Sequence, residues 1–546
     1  MERWTYDKMD RVTHYTDRRN RVTTYAYDTL GRPTTTTFPG MGGSVTASYD
    51  AGNRMVALAD SVSGTLGWSY DSFDQVTAAN SPQGTITYGY DAAGRRTKMQ
   101  AATQAPVVYG YDTADRLTGI TQGPEKVIFA YDPANRRITQ TLPNHVQTAY
   151  TYNNANQVTG LAWGKAGQAA LGSLGYGYNT VGQLVAQTGT HASQSLPPAS
   201  SGNSFDDNNR QTKANNVALS YDQSGHLLND GSRKYVWDDR DRLSEIQQGG
   251  TTIASFSYDA LGRRTVKTEG GTSTQYLYDG QDVVQETQGS TVNPILTGLG
   301  IDQRYARNDT GGRTYFLSDQ LGSTRLLTNA AGGVVQRYEY DPYGTTTQSS
   351  TAYTNPYQYT GREKDASGLY YYRARYYRPQ WGRFISEDPI GLVGGVNGYI
   401  YVEDGPLQYN DPLGLWKVTI SIFDFFGGSL FFGKDENSGG FIGIRAGFGI
   451  GGGISFEPLG NASGSNPCSN GGFGLGGYGE VSFNALFIQA GIELYGGGKW
   501  TPSDKSKLTP YGDFQPSASL GDSGGINAEA SVGVELTLHG GRPYRH

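Results

Sequence analysis

The chain has 546 residues, a formal net charge of -6, and 78 Gly and 40 Tyr beside only 17% charged residues. Gly costs roughly 1 kcal/mol at each helix-interior position, which excludes a helical bundle; the aromatic content excludes disorder, and 22 Pro without a three-residue Gly period exclude collagen. The acidic balance leaves no overall basic field for nucleic acid or an anionic membrane, and a single cysteine, Cys468, leaves no disulfide framework and no Cys-based zinc site. The first residues, MERWTYDKMDRV, mix charges and lack an apolar stretch, so no secretory signal peptide is expected. No run of 18 apolar residues predicts a transmembrane helix.

From Tyr6 onward a Tyr-Asp dipeptide recurs, at Tyr6, Tyr27, Tyr49, Tyr70, Tyr90, Tyr111 and Tyr131. Tyr152-Asn153 and Tyr178-Asn179 read as decayed copies, and the pair returns at Tyr221, at Trp237-Asp238, and at Tyr258, Tyr278 and Tyr340. Each copy follows a run rich in Thr, Val and Tyr and precedes a turn such as YDTLGRPT, YDTADRLT or YDALGRRT. The run predicts a strand, and Asp-x-x-Gly predicts a turn that accepts Gly at positive φ. A period near 21 residues is then one β-hairpin per repeat. Packing and turn formation account for these Tyr and Asp residues without any chemistry; each hydroxyl can stay hydrated or find a partner.

The repeats, together with YFLSDQLGSTRLLTNAAGGVVQRYEYDPYG (315–344) and the block from NPYQYTGREKDASGLYYYRARYYRP to YNDPLGL (355–415), resemble the Rhs/YD-repeat family, which includes polymorphic toxins and the C component of insecticidal toxin complexes. The resemblance covers about residues 5–415. It implies an all-β fold in which YD-repeat hairpins form a spiralling hollow shell around a variable C-terminal domain. The expected domains are a YD-repeat shell (1–314), an Rhs core with a self-cleavage motif (315–415) and a cargo domain (416–546). The family's shells generally run much longer, so a natural short copy and a piece of a larger chain are both compatible with these residues.

Three Asp-Pro-x-Gly elements begin at Asp341, Asp388 and Asp411. All suit a type I turn, but DPIGL and DPLGL are near copies 23 residues apart. Two carboxylates delivered by matching turns can converge, and held together they cannot both ionise easily. One then activates water while the other donates a proton, which is aspartyl-protease chemistry. The resemblance implies the same: the catalytic residues are Asp388, Asp411 and Arg375, and the scissile bond is Leu415–Trp416. By chemistry alone Arg373 and Arg378 rival Arg375 as the guanidinium that orients a carboxylate. No cofactor is expected. A purely structural or adhesive surface protein, with these elements as turns only, is the alternative.

Composition shifts at Trp416: residues 416–546 hold 30 Gly but four Tyr. In FIGIRAGFGI and SVGVELTLHG, apolar residues alternate with Gly or polar ones, and EVSFNALFIQAGIEL gives a further strand or hairpin. A small Gly-rich antiparallel β-barrel or sandwich is expected, soluble or membrane-inserting, since both put an apolar face opposite a polar one. Catalytic motifs are poor: Gly521-Asp522-Ser523-Gly524-Gly525 spells a serine-protease nucleophile, but His539 and His546 both follow it. Cys468 has no nearby His. The family implies that this tail is an effector, that an immunity protein and delivery proteins of a secretion system are partners, and that the chain is made in the bacterial cytoplasm before export.

Overall fold

A computed structural model describes residues 2–192, 196–309 and 311–415, and the backbone of strands Phe426–Asp435, Gly439–Phe448, Tyr478–Glu480, Phe483–Asn484, Glu493–Tyr495, Gly498–Lys499 and Val532–Thr537. Among these residues there is no α-helix. The repeats form an 18-stranded antiparallel sheet from Arg3–Tyr6 to Leu184–Thr188, in which strands adjacent in sequence pair with one another. A 3-stranded sheet over residues 204–218 leads into a second, 14-stranded sheet from Ser220–Tyr221 to Thr346–Gln348. A 4-stranded sheet follows, made by Glu363–Lys364, Tyr370–Tyr372, Arg375–Arg378 and Arg383–Phe384.

The repeat at Asp112 shows how the sequence makes a hairpin. Its Oδ1 accepts the N–H groups of Ala114 and Arg116, and its Oδ2 accepts Nε of Arg116 at 2.7 Å. Asp115 takes the left-handed conformation (φ +61) where other copies use Gly, as Asp and Asn tolerate better than most residues. The Arg116 guanidinium lies 5.1 Å from the ring centre of Tyr131, and the Tyr131 hydroxyl donates to Leu117 O at 2.7 Å. The same Asp–Arg–Tyr ladder recurs at Asp7, Asp28 and Asp91. The copy at Asn153 keeps its geometry with a neutral pair, Asn153 Nδ2 donating to Gln157 Oε1 at 2.8 Å.

Strand register shifts immediately before the repeat tyrosine, at Tyr27, Tyr49, Tyr70, Tyr111, Tyr131, Tyr152 and Tyr178. A bulge bends its strand and increases local twist, so bulges at a fixed period make the sheet coil. The coil brings the two sheets together. Tyr88 donates to Asp279, Tyr315 to Glu125, and Asn144 to Thr328, pairs separated by 191, 190 and 184 residues.

Three layers result. The first sheet buries one face only: Val127 and Phe129 are buried while Ile128 between them is exposed. The second sheet is covered on both. Leu277, Leu296, Leu317 and Leu326 join the core shared with the first sheet, whereas their chain neighbours Tyr276, Ile295, Phe316 and Leu327 pack with Tyr357, Tyr370, Tyr372, Tyr377 and Phe384. Successive residues of a strand point to opposite faces, so such apolar doublets mark a strand buried on both sides. Tyr371, Tyr376 and Ile385 meet Tyr235, Ile246 and Phe256 of the same sheet. The second sheet therefore curls around residues 355–402, and that segment fills the curl.

In the tail, Phe426–Asp435 and Gly439–Phe448 form an antiparallel hairpin, and Val532–Thr537 pairs with the latter strand. Two expected strands thus become neighbours. The barrel or sandwich expected there, with Trp416, Cys468, the Gly521–Gly525 motif, His539 and His546, lies outside the described residues.

Candidate active site

The site is built on the hairpin of Tyr370–Tyr372 and Arg375–Arg378, in which Tyr372 pairs with Arg375 and residues 373 and 374 form the turn. Aromatic packing on both faces of this hairpin leaves Arg375 only 4% exposed. Its guanidinium lies 3.7 Å from the ring centre of Phe384. Nη1 donates to Gly398 O at 3.0 Å and Nε to Gly414 O, while Nη2 stands 2.9 Å from Asp388 Oδ2 and 3.5 Å from Asp411 Oδ2. Of the three arginines that sequence left open, this one lies between the two aspartates. Arg378 pairs with Asp230 at 2.7 Å and covers Trp381. Arg373 turns toward Asp282, Asp302 and Pro412 O.

Both aspartates are buried, Asp388 at 5% and Asp411 at 1% exposure. Asp388 Oδ1 accepts the N–H of Ile390 at 3.1 Å. The chain opposite comes close: a Cβ on Gly394 would stand 2.5 Å from Asp388 Oδ2, so a larger residue there displaces the carboxylate. Asp411 Oδ1 accepts the N–H of Leu415 at 3.0 Å, the i+4 contact of the repeat turns. In a repeat such as that at Asp112 the i+4 residue is an arginine that occupies Oδ2; here it is Leu415, and Oδ2 is met by Arg375 instead. Asp341, third of the motif, makes an ordinary turn with Tyr343 and Thr345 N–H groups and stays outside the site.

Burial pushes the Asp388 carboxyl up to about 7. Arg375 and the Ile390 N–H oppose the rise, and the charges of Asp411 and Glu387 add to it. Asp388 is thus poised to hold and release a proton near neutrality.

The chain before the expected cleavage point is tightly held. Gly414 has φ +73, and a Cβ there would lie 2.2 Å from Tyr372 O. Leu415 packs with Ile390 and Leu413. Glu387, beside Asp388, is gripped from the far end of the chain by a fork from Arg18, with both contacts at 2.7 Å. Sequence reading missed Glu387, Gly394 and the roles of Arg18 and Arg373; no periodic signal marks them. Among the described residues no group of three or more His, Cys, Asp or Glu could hold a metal ion.

A model of the Teneurin YD-shell matches residues 1–157 and 142–393. The chain belongs to the YD-shell family. The Rhs/YD-repeat resemblance drawn from the repeats is thereby borne out. Among curated proteins it is similar to the tRNA3(Ser)-specific nuclease WapA of Bacillus spizizenii, 33% identical over 226 residues that make up 39% of this chain and 10% of that protein. It is also similar to toxin subunit YenC2 of Yersinia entomophaga, 43% identical over 99 residues, 17% of this chain and 10% of that one. The chain thus spans about a tenth of the length of these relatives. The structure titled TcdB2-TccC3-TEV aligns with 76% of this chain and 27% of its own at a TM-score of 0.59 and 18% identity, which is a likeness of fold.

Proposed function

We propose that this chain is the shell segment of an Rhs-type toxin that cuts itself between Leu415 and Trp416 and thereby frees residues 416–546 as an effector. The observation that carries the reading is the convergence of Asp388 and Asp411 on one Arg375 Nη2 beside Leu415, whose N–H is held by Asp411. At neutral pH a protonated Asp388 donates toward the Leu415 carbonyl oxygen while Asp411 takes a proton from the attacking water. Arg375 holds both carboxylates and fixes the Gly414 carbonyl. The tetrahedral intermediate collapses as Asp411 passes the proton it took from water to the departing Trp416 nitrogen and Asp388 regains its own, leaving a carboxylate on Leu415 and an amine on Trp416. Each chain serves as its own substrate, once.

Denaturing electrophoresis and mass measurement of purified protein test the reading. A fragment ending at Leu415 and another starting at Trp416 are expected, and Asp388→Asn and Asp411→Asn should each leave the 58.9 kDa chain whole. A wild-type chain that stays intact would instead support the structural or adhesive reading.

The relatives named as a nuclease and a toxin subunit favour an exported or delivered effector. We place containment of the effector within a larger shell, an immunity protein and delivery proteins in the same proposal. A second reading of the tail, insertion into a membrane, draws on the hairpin of two 10-residue strands at 426–448, since about 9–11 residues cross a bilayer as a strand. Depolarisation of cells exposed to the whole delivered protein, lost when Asp388→Asn blocks release, would favour it over an enzymatic effector.

A further inference from the structure

Three consecutive residues of the site hairpin contact three consecutive carbonyls ahead of Leu415. Arg373 Nη1 donates to Pro412 O, Ala374 N to Leu413 O at 3.1 Å, and Arg375 Nε to Gly414 O. The next carbonyl along the chain is that of Leu415 itself. Donors and acceptors thus advance together, one residue at a time, and the next step of the track is the carbonyl of the proposed scissile bond.

Arg373 is built for this task at some conformational cost. It is a non-glycine residue at φ +58, an uncommon conformation for a long side chain. Its guanidinium is anchored by Asp302 Oδ1 and Oδ2 at 3.0 and 3.1 Å and by Gln281 O at 3.1 Å, with Asp282 Oδ1 at 3.4 Å. Those partners lie in the second sheet or its turns, so the track is tied to the wall that surrounds it. Strained backbone persists where the surroundings over-determine it.

We propose that Arg373 is a positioning residue for self-cleavage: with Ala374 and Arg375 it sets the register of residues 412–414, so that the Leu415 carbonyl and no neighbour is presented to the aspartates. The inference rests on the cleavage reading above. A displacement near 1 Å can cost about 100-fold in rate, and a register error also changes which bond breaks. A merely structural ion pair between Arg373 and Asp302 would affect stability and leave the cut where it was.

The experiment uses full-length wild-type, Arg373→Ala, Arg373→Gly, Arg373→Lys, Asp302→Asn and Asp388→Asn proteins. Fragment masses, the rate of fragment appearance and thermal unfolding are followed together. Arg373→Ala is expected to cleave about 100-fold more slowly and to yield a second boundary beside Leu415–Trp416. Arg373→Gly, which accepts the turn without strain, should behave alike even if the Ala variant folds poorly. Arg373→Lys should restore a single boundary at an intermediate rate, and Asp302→Asn should give mixed boundaries. A single wild-type boundary at the wild-type rate in both Arg373→Ala and Arg373→Gly overturns the proposal. So does a lowered unfolding temperature with one unchanged boundary in every variant. Cleavage that survives Asp388→Asn would instead overturn the aspartyl mechanism itself.

Discussion

The repeat turns and the cleavage turns use the same residues toward opposite ends. In a repeat, one Asp holds one Arg four residues on, both at the edge of water; at Asp112, burial works to raise the carboxyl, and the Arg116 N–H and guanidinium outweigh it and hold it below the usual range. In the site, one buried Arg375 is shared between two buried aspartates, and burial drives Asp388 up to about 7. A matched partner makes a carboxylate a piece of scaffold; a shared partner and lost water make it an acid. The change needs little: Leu415 stands where repeats such as that at Asp112 have their arginine.

The comparison breaks most sharply at Arg375. Arg375→Lys replaces a planar fork by a point charge that cannot reach both carboxylates and Gly414 O, so cleavage should fall by at least about 100-fold in a gel time course. By contrast, Asp341→Asn, in the sibling turn outside the site, should leave the cleavage rate unchanged. Next in size is Gly414→Ala, where the added Cβ meets Tyr372 O; a drop of about 10-fold or more is expected in a protein that still unfolds cooperatively, since about 1.4 kcal/mol suffices.

The pH dependence sharpens the contrast further. A carboxyl raised in the fold binds its proton more tightly than in the unfolded chain, so its contribution is present at low pH and lost as pH rises through about 7. Cleavage should therefore fall roughly 10-fold per pH unit above 7 if Asp388 supplies the proton, with the alkaline midpoint read from rates at constant ionic strength. A rate that is flat from pH 6 to 9 would remove Asp388 from the donor's role. The smallest effect belongs to the ladder: Tyr131→Phe removes the hydroxyl that donates to Leu117 O and meets Arg137, and should lower stability by about 1 kcal/mol or more in urea unfolding, with cleavage untouched.

Much of this was legible in the residues. The 21-residue period and the near-duplicate DPIGL and DPLGL reveal the hairpins and the paired aspartates because both are repetitions, and repetition survives in one dimension. The arginine of each ladder stands in plain view in YDTADRLT, yet its bond to Asp and its place over the next tyrosine depend on the turn being closed. The bulge before most of the repeat tyrosines is a matter of hydrogen-bond register and leaves no trace in composition. The doublets Phe316-Leu317 and Leu326-Leu327 do carry a signal, since adjacent apolar residues in a strand predict burial on both faces. Choosing Arg375 over Arg373 and Arg378 requires knowing that residues 373 and 374 form a two-residue turn, which sends the neighbouring arginines to different partners.

Among the described residues, the contacts that hold this segment lie upstream of the proposed bond: Pro412, Leu413, Gly414 and the Leu415 N–H. If the bond is cut there, none of them is broken. The new carboxy terminus stays seated, its fresh charge beside Asp388, Asp411 and Arg375, and the spent site carries its own product as a stopper. The hydrolysis is then protected from reversal by departure of the tail alone, and a neighbouring chain finds no vacancy to use. With the bond cut there, such a site would act as a fuse, ordered before and after it blows.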